Sequence, residues 1–174
     1  MTGRHEEWQQ QDLTLEARQR RETFARFGLA MFQAQCVERQ VGILLATALN
    51  PQFLRTSPED RDRFFDTEFA KTLGNLARAL RQQITLVPQF ESRLRRAVEL
   101  RNWLSHHYFW ERAGSILTWD GREQMISELQ ETADFLGSVD EELIAISEKW
   151  LDRVGVSREA IEAEMAKYNR GQNA

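Results

Sequence analysis

The sequence predicts an all-α protein, an antiparallel four-helix bundle with additional short helices and a C-terminal helix. Apolar residues recur at alternating spacings of three and four along several long segments, as on the buried face of an amphipathic helix. No segment shows the alternation of apolar and polar residues that is typical of a half-buried strand. Only three prolines and nine glycines occur among 174 residues, which leaves room for long helices. We expect one domain over residues 1–174, with its core at about 14–150 and an extension at about 155–174.

The first half of the chain predicts one long helix followed by two shorter ones. The long helix begins near Thr14 and ends at Asn50, because the residue before Pro51 is pushed out of helical geometry. Its apolar stripe consists of Phe27, Met31, Ala34, Val41, Leu45 and Ala48. Ser57 is predicted to cap the next helix, with Pro58 at the first helical position. A second apolar stripe follows and comprises Phe69, Leu73, Leu76 and Leu80.

A third long helix is predicted in the middle of the chain. It starts at Val87–Pro88 and runs to about Arg112, where Ala113–Gly114 breaks it. Residues 115–120 are expected to form a short extended piece that ends in a turn at Asp120–Gly121.

The fourth long helix has the most regular apolar stripe of the chain. Its members are Met125, Leu129, Leu136, Val139, Leu143, Ile146 and Trp150. Gly137 is a candidate position for a kink, and Val154–Gly155 is expected to end the helix. A last amphipathic helix is predicted to open at Ser157 and to pass through Ile161 and Met165.

Charge is distributed unevenly along the chain, although the net charge is only −4. Residues 78–112 carry seven arginines against three acids, a local charge of +4, while residues 120–168 carry thirteen acids against five bases, a local charge of −8. The acidic total argues against a general nucleic-acid coat, but a local basic strip can hold phosphates. Alternatively, arginines of one helix pair with acids of a neighbouring helix, a common arrangement on helical surfaces.

The single cysteine, Cys36, excludes an intrachain disulfide and a zinc site built from cysteines. Its apolar neighbours on the first helix predict a small buried side chain. The first twelve residues are polar and lack the apolar segment of a signal peptide. The uncharged stretch at residues 40–54 is interrupted by Pro51 and is too short to span a bilayer. We therefore expect a cytoplasmic protein without a membrane span.

The candidate functional residues lie in one segment of the third helix, Arg101-Asn102-Trp103-Leu104-Ser105-His106-His107-Tyr108. Arg101 falls on the apolar stripe of that helix, where an unpaired charge is costly, so it requires a partner or a water-filled cleft. The stripe consists of Phe90, Leu94, Ala97, Leu104 and Tyr108. Asn102 and His106 share one helix face, and Arg101, Ser105 and Tyr108 form the adjacent one. A second copy meeting this polar region across a twofold axis would bring two arginines and two histidines to one cleft.

This segment resembles the R-x4-H motif of the HEPN superfamily (higher eukaryotes and prokaryotes nucleotide-binding). Arg101 is followed at once by Asn102, a common form of the motif. Tyr108, two places after His106, resembles the R-x4-H-x-Y form of toxins that pair with nucleotidyltransferase antitoxins. The resemblance implies a helical bundle that acts as a metal-independent ribonuclease, with the motif near a homodimer cleft and no cofactor. It covers about residues 14–150.

The resemblance also implies a role for each residue of the motif. Arg101 would bind and polarise the scissile phosphate of RNA, and His106 would act as general base or acid at the ribose 2′-hydroxyl. Asn102 would orient the histidine or the phosphate. Tyr108 would be the residue that an antitoxin modifies. An acidic residue from another helix would assist the reaction. The chemistry is reasonable because an imidazole titrates near neutral pH and a guanidinium stays charged.

Other interpretations fit the same residues. Arg101 and His106 could form a buried polar network that fixes helix register. His107 and Ser105 are auxiliary site candidates, and the two histidines with Glu111 could be metal ligands, although the spacing typical of di-iron bundles is absent. The protein could also be a non-catalytic HEPN-like module that binds a nucleotide or a protein. A third function is a helical interaction protein with an acidic docking helix, which predicts that Arg101 is held in a salt bridge.

Overall fold

The protein is an all-α helical bundle, as its sequence predicts. The computed structural model describes residues 14–50, 53, 56–69, 72–153 and 155, and the regular elements in these ranges are all helical. The α-helices in this part of the chain are α1 Leu15–Leu49, α2 Pro58–Phe69, α3 Leu73–Gln83, α4 Pro88–His106, α5 Tyr108–Glu111 and α6 Trp119–Arg153. None of these helices has a segment both long and apolar enough to cross a membrane. The helix predicted after Ser157 and the polar N-terminal segment lie outside the described residues.

The helix ends follow the capping signals of the sequence. Thr14 Oγ1 accepts a hydrogen bond from the backbone N–H three residues later at 3.2 Å, and Ser57 Oγ accepts the equivalent bond at 3.1 Å. Each hydroxyl satisfies one of the backbone donors that the first turn of a helix leaves unpaired. At the other end of α1, Asn50 adopts extended geometry with φ −140° and ψ 97°, as the following Pro51 predicts.

The two longest helices, α1 and α6, run parallel to each other. Their contacts keep a nearly constant offset along the chain and are made by Gln19 with Glu123, Arg26 with Gln130, and Thr47 with Trp150. Antiparallel helices would instead pair early positions of one helix with late positions of the other. The chain must therefore travel back along the bundle between the end of α1 and the start of α6.

Helix α4 makes this return and runs antiparallel to both long helices. Arg93, near the start of α4, pairs with Glu142 late in α6, whereas Arg112, beyond the end of α4, pairs with Glu128 earlier in α6. The contacts with α1 follow the same reversed order. Arg101 pairs with Glu38, whereas Tyr108, later in the chain, packs against Phe27, earlier in α1. The predicted antiparallel arrangement therefore holds for α4 against α1 and α6, while α1 and α6 are parallel to each other.

The apolar stripes predicted for these helices form one core. Its buried members include Ala34, Val41, Leu45, Leu73, Leu76, Leu80, Phe90, Leu94, Ala97, Leu104, Met125, Leu129, Leu136, Val139 and Leu143. Full burial of one large apolar side chain stabilises a fold by about 1.5–3 kcal/mol. Stripe residues at the edge of the core are only partly buried, namely Phe27, Met31, Ile146 and Trp150.

Several local predictions after residue 106 are wrong. The third helix ends at His106 instead of near Arg112, and His107 departs from helical geometry with φ −126° and ψ −26° before the short α5 begins. Ser115–Leu117 forms a 3-10 turn instead of an extended piece. Asp120–Gly121 lies in the first turn of α6 and makes no turn of its own. Helix α6 also continues without interruption past the glycine at which a kink was predicted.

Close packing of Gly121 against the 3-10 turn explains the geometry at the start of α6. The Gly121 N–H donates to Thr118 Oγ1 at 3.1 Å, so Thr118 caps the helix. A Cβ atom at position 121 would lie 2.2 Å from the Ser115 carbonyl oxygen and 2.7 Å from Ser115 Cα. The backbone φ angle of Gly121 is not positive. Glycine is therefore required here by the space available and not by its backbone freedom.

The next residue, Arg122, joins the start of α1 to the start of α6 although it is only 2% exposed. Its Nε donates to Gln19 Oε1 at 2.7 Å, and its Nη1 donates to the Ile116 carbonyl oxygen at 3.0 Å. The Gln19 side chain in turn donates to the Trp119 carbonyl oxygen at 3.0 Å. A buried guanidinium thus holds both long helices and the 3-10 turn at one end of the bundle.

Candidate functional site

The predicted site residues lie at the C-terminal end of α4, and most of them reach solvent. The exposed members are Asn102, Ser105, His106 and His107. Arg101 is partly buried between α4 and α1, and Tyr108 is buried. The polar region expected from the sequence therefore exists, but it does not include the tyrosine.

Arg101 is held by an acidic side chain of α1. Its Nη2 lies 3.4 and 3.5 Å from the two carboxylate oxygens of Glu38, and its Nη1 donates to Asn102 Oδ1 at 3.2 Å. The side chains of Arg101 and Glu38 are 22% and 15% exposed. Arg101, the charged residue on the apolar stripe of α4, therefore has in Glu38 the partner that its position requires. A guanidinium carries five N–H donors, so this pairing leaves donors free for a ligand.

His106 and His107 both present their imidazole rings to solvent. His106 is the last residue of α4, and the two ring centroids are 6.2 Å apart with the planes at 73°. Neither imidazole is hydrogen-bonded to another residue that the structure describes. An accessible imidazole can accept or donate a proton in a reaction near neutral pH. The region at the end of α4 therefore carries two exposed imidazoles and one partly exposed guanidinium.

Tyr108 belongs to the core and not to the accessible polar face predicted for it. Its side chain is fully buried, and its hydroxyl lies 3.4 Å from the Met125 carbonyl oxygen, to which it donates. Its ring packs edge-on against Trp103 with the centroids 4.8 Å apart. A partner protein cannot reach this hydroxyl in the folded chain. The modification that the resemblance implies therefore has no accessible target here.

The burial of Tyr108 predicts that its phenol ionises late. Desolvation raises the pKa of this phenol, and the negative charge of Glu128 raises it further. Because the folded pKa lies above the unfolded value, the stability contributed by Tyr108 is present below about pH 10 and is lost as the pH rises through the folded pKa. In an ultraviolet titration of phenolate, we expect Tyr108→Phe to remove the late step. The late step should persist in Tyr168→Phe, the control variant, and a late step that survives in Tyr108→Phe would contradict the prediction.

The basic strip of residues 78–112 is partly neutralised by acids of α6. Arg93 Nε lies 2.9 Å from Glu142 Oε2, and Arg112 forms two bonds of 2.6 and 2.9 Å with the carboxylate of Glu128. The bonds to Glu128 raise the pKa of the Arg112 guanidinium. This confirms, for these two pairs, the alternative that arginines of one helix pair with acids of its neighbour. The positive charge available to a ligand is therefore smaller than the sequence count.

Large apolar side chains lie beside the motif on the protein surface. Trp110, three residues after His107, is 85% exposed, and Phe24 of α1 is 54% exposed. The Phe109 ring bridges α5 and α1, with centroid distances of 5.7 Å to Phe24 and 4.6 Å to Phe27. Exposed aromatic rings of this size next to polar residues are typical of an interaction surface.

Side chains that could bind a metal ion do not cluster among the described residues. No three His, Cys, Asp or Glu side chains come together there as a metal site needs. Glu111, proposed as a ligand with the histidines, instead accepts a hydrogen bond from Trp103 Nε1 at 2.8 Å.

Cys36 is half-buried on α1, less buried than the sequence predicts. Partial burial raises the pKa of the thiol, and the nearby Asp140 carboxylate raises it further. Burial likewise raises the pKa of Asp140, whose Oδ1 has no hydrogen-bond partner among the described residues. A raised pKa lowers the fraction of reactive thiolate at neutral pH, and Cys36 does not line the depression next to Arg101.

Two residues of α1 complete the surroundings of Arg101 and were not predicted. Glu38 and Arg39 line, with Gln35 and Arg101, a surface depression of about 290 Å³. Glu38 stands 63 positions from Arg101, so no local spacing signals their contact.

Comparisons of the chain with protein-family models, curated proteins and solved structures find no match.

Proposed function

We propose that the protein is a metal-independent endoribonuclease of HEPN type, which acts on RNA at a cleft between two copies of the chain. The observation that supports this most is the placement of Arg101. Its guanidinium pairs with Glu38 and remains partly exposed, and Arg101 precedes His106 by five residues, a backbone rise of about 7.5 Å along α4. Phosphodiester cleavage by a ribose hydroxyl needs a charged hydrogen-bond donor and an imidazole, and the C-terminal end of α4 carries both on side chains that reach solvent.

In this reaction His106 accepts the proton of the ribose 2′-hydroxyl, whose oxygen attacks the adjacent phosphorus. The bond from phosphorus to the 5′-oxygen breaks, and that oxygen takes a proton from a second imidazole. The products are a 2′,3′-cyclic phosphate and a 5′-hydroxyl. Arg101 stabilises the extra negative charge on the five-coordinate phosphorus, and Asn102 orients the phosphate or the histidine. Ribose supplies the nucleophile, so the reaction proceeds without a metal ion.

The second imidazole is supplied by the partner copy of a homodimer. Phe24 and Trp110 provide exposed apolar surface next to the motif, and burial of such surface is the main driving force of association. A twofold contact presents the same patch of each copy to the other and so brings both motifs to one cleft. The same resemblance implies a toxin or defence role in the cytoplasm, but the buried Tyr108 gives a nucleotidyltransferase-type antitoxin no residue to modify.

The proposal is tested by His106→Ala. We expect the rate of RNA cleavage in the presence of a metal chelator to fall by at least about a hundredfold, because a positioned general acid or base contributes 10²–10⁴-fold. His106 is exposed, so thermal unfolding should be unchanged. Gln83→Ala is the matched control, since Gln83 is also an exposed last residue of a helix. Cleavage by His106→Ala at the wild-type rate would overturn the proposal.

One observation favours a second function, a helical interaction protein that docks a partner without catalysis. Arg101 forms its ion pair within a single chain, which is also what an interaction protein predicts. Under this alternative the wild-type protein leaves RNA intact, as would a non-catalytic HEPN-like module that binds a nucleotide or a protein. The cleavage assay above separates the two functions, because only the ribonuclease releases products that end in a cyclic phosphate.

A further inference from the structure

An exposed arginine of α1 shares a surface depression with Arg101. The depression is lined by Gln35, Glu38, Arg39 and Arg101 and has a volume of about 290 Å³. The Glu38 carboxylate is engaged with Arg101, whereas Arg39 makes no ion pair or hydrogen bond with any residue that the structure describes. Two guanidinium groups against one carboxylate leave the depression with a net positive charge. The Arg39 side chain is exposed to solvent.

We propose that Arg39 is a second phosphate-binding residue, which holds the RNA backbone beside the phosphate bound by Arg101. This inference rests on the ribonuclease function proposed above. A guanidinium with free N–H groups binds phosphate oxygens through paired, charge-assisted hydrogen bonds. Gln35, one helical turn before Arg39, adds an amide that can bond to a ribose hydroxyl or a phosphate. The two cations thereby determine where the strand crosses the end of α4.

A single strand of RNA suits this surface better than an acidic protein segment does. Phe32 is 58% exposed and lies two helical turns before Arg39 on the same face of α1. An aromatic ring that follows a cation along one face is typical of single-strand binding, because bases stack on rings while phosphates bind cations. Asn102 and Ser105 are exposed beside the depression and can bond to ribose hydroxyls, which a protein segment lacks.

The test measures binding separately from cleavage. Fluorescence anisotropy with a 2′-O-methyl RNA oligonucleotide, which has no free nucleophile, gives the dissociation constant as a function of salt. We expect Arg39→Ala to bind about fivefold more weakly at 0.1 M salt, with a salt slope smaller by about 0.7, because one phosphate contact to a single strand is lost. Arg78→Ala is the matched control, since Arg78 on α3 is likewise exposed and unpaired among the described residues.

The outcomes separate this inference from the proposed function. If Arg101→Ala weakens binding while Arg39→Ala binds like wild type, the role of Arg39 is overturned and the ribonuclease proposal stands. Equal weakening by Arg39→Ala and Arg78→Ala would show unspecific charge attraction and also overturn it. A wild-type protein that neither binds the oligonucleotide nor cleaves RNA overturns both proposals. Preferential binding of an acidic peptide at the same depression would replace RNA by a protein partner.

Discussion

Gly121→Ala is expected to destabilise the protein by about 3 kcal/mol or more, at the upper end of the cost of overpacking. The added methyl group would lie 2.2 Å from the Ser115 carbonyl oxygen and 2.7 Å from Ser115 Cα. These are backbone atoms, so no side-chain rotation relieves the overlap. Moving the 3-10 turn away would break the Thr118 cap and the bond from Arg122 to Ile116. Either response removes structure that joins the two long helices.

The measurement is urea unfolding followed by circular dichroism, with Gly28→Ala as the matched control. Gly28 is also a helical glycine, but a Cβ atom there would meet no heavy atom within 4 Å. The control should gain about 0.5–1 kcal/mol, because alanine is the better helix former. Equal unfolding midpoints for Gly121→Ala and wild type would show that the 3-10 turn is not packed as the structure has it.

Removing the buried guanidinium at the same end of the bundle is expected to cost about 3–5 kcal/mol in Arg122→Ala. The substitution creates a cavity at a site that is 2% exposed. It also leaves Gln19 Oε1 and the Ile116 carbonyl oxygen without the donors that satisfy them. Arg122→Lys should recover little of this stability, since an ammonium group cannot reproduce two bonds that diverge from a planar fork.

Arg20→Ala is the control for this effect. Arg20 and Arg122 both lie near the same oxygen of Glu16, at 2.8 and 3.7 Å, but the side chain of Arg20 is 54% exposed. An exposed pair of this kind contributes at most about 0.5 kcal/mol, so Arg20→Ala should unfold nearly like wild type. Similar losses in the two variants would mean that Arg122 acts only through Glu16 and that its buried bonds are unimportant.

Helix content and most helix starts could be predicted from the sequence because they depend on local signals. Apolar spacing identifies the buried face of each helix, and the hydroxyl groups of Thr14 and Ser57 cap the helices that follow them. The direction of each helix could not be predicted in this way. Parallel packing of α1 and α6 depends on which end of the bundle the intervening chain returns to, and that is a property of the whole fold.

The wrong predictions share a different cause, namely tertiary packing that overrides local signals. No glycine or proline lies between α4 and α5, so nothing in the sequence marks the departure from helical geometry at His107. Gly121 after Asp120 has the composition of a turn, yet the glycine is present to admit the backbone of Ser115. A turn composition and a close-packing requirement call for the same residue, and only the structure separates them.

Only part of the candidate site could be predicted, because only part of it depends on local signals in the sequence. Arg101 was singled out because a charge interrupts an apolar stripe, and that reasoning correctly required a partner. The same reasoning applies to Arg122, which precedes Met125 by three positions and so continues the stripe of α6. The contribution of Glu38 was not predictable, since a contact over 63 residues leaves no trace in local spacing.

Because α1 and α6 lie side by side in the same direction, Leu15 and Arg153 are at opposite ends of this helix pair, about 50 Å apart. A fluorophore or affinity domain attached at one tip therefore stays clear of whatever binds at the other. In a circularly permuted chain, the segment that joins these two positions must be at least roughly fifteen extended residues long. A shorter bridge would have to peel one of the long helices away from its neighbour.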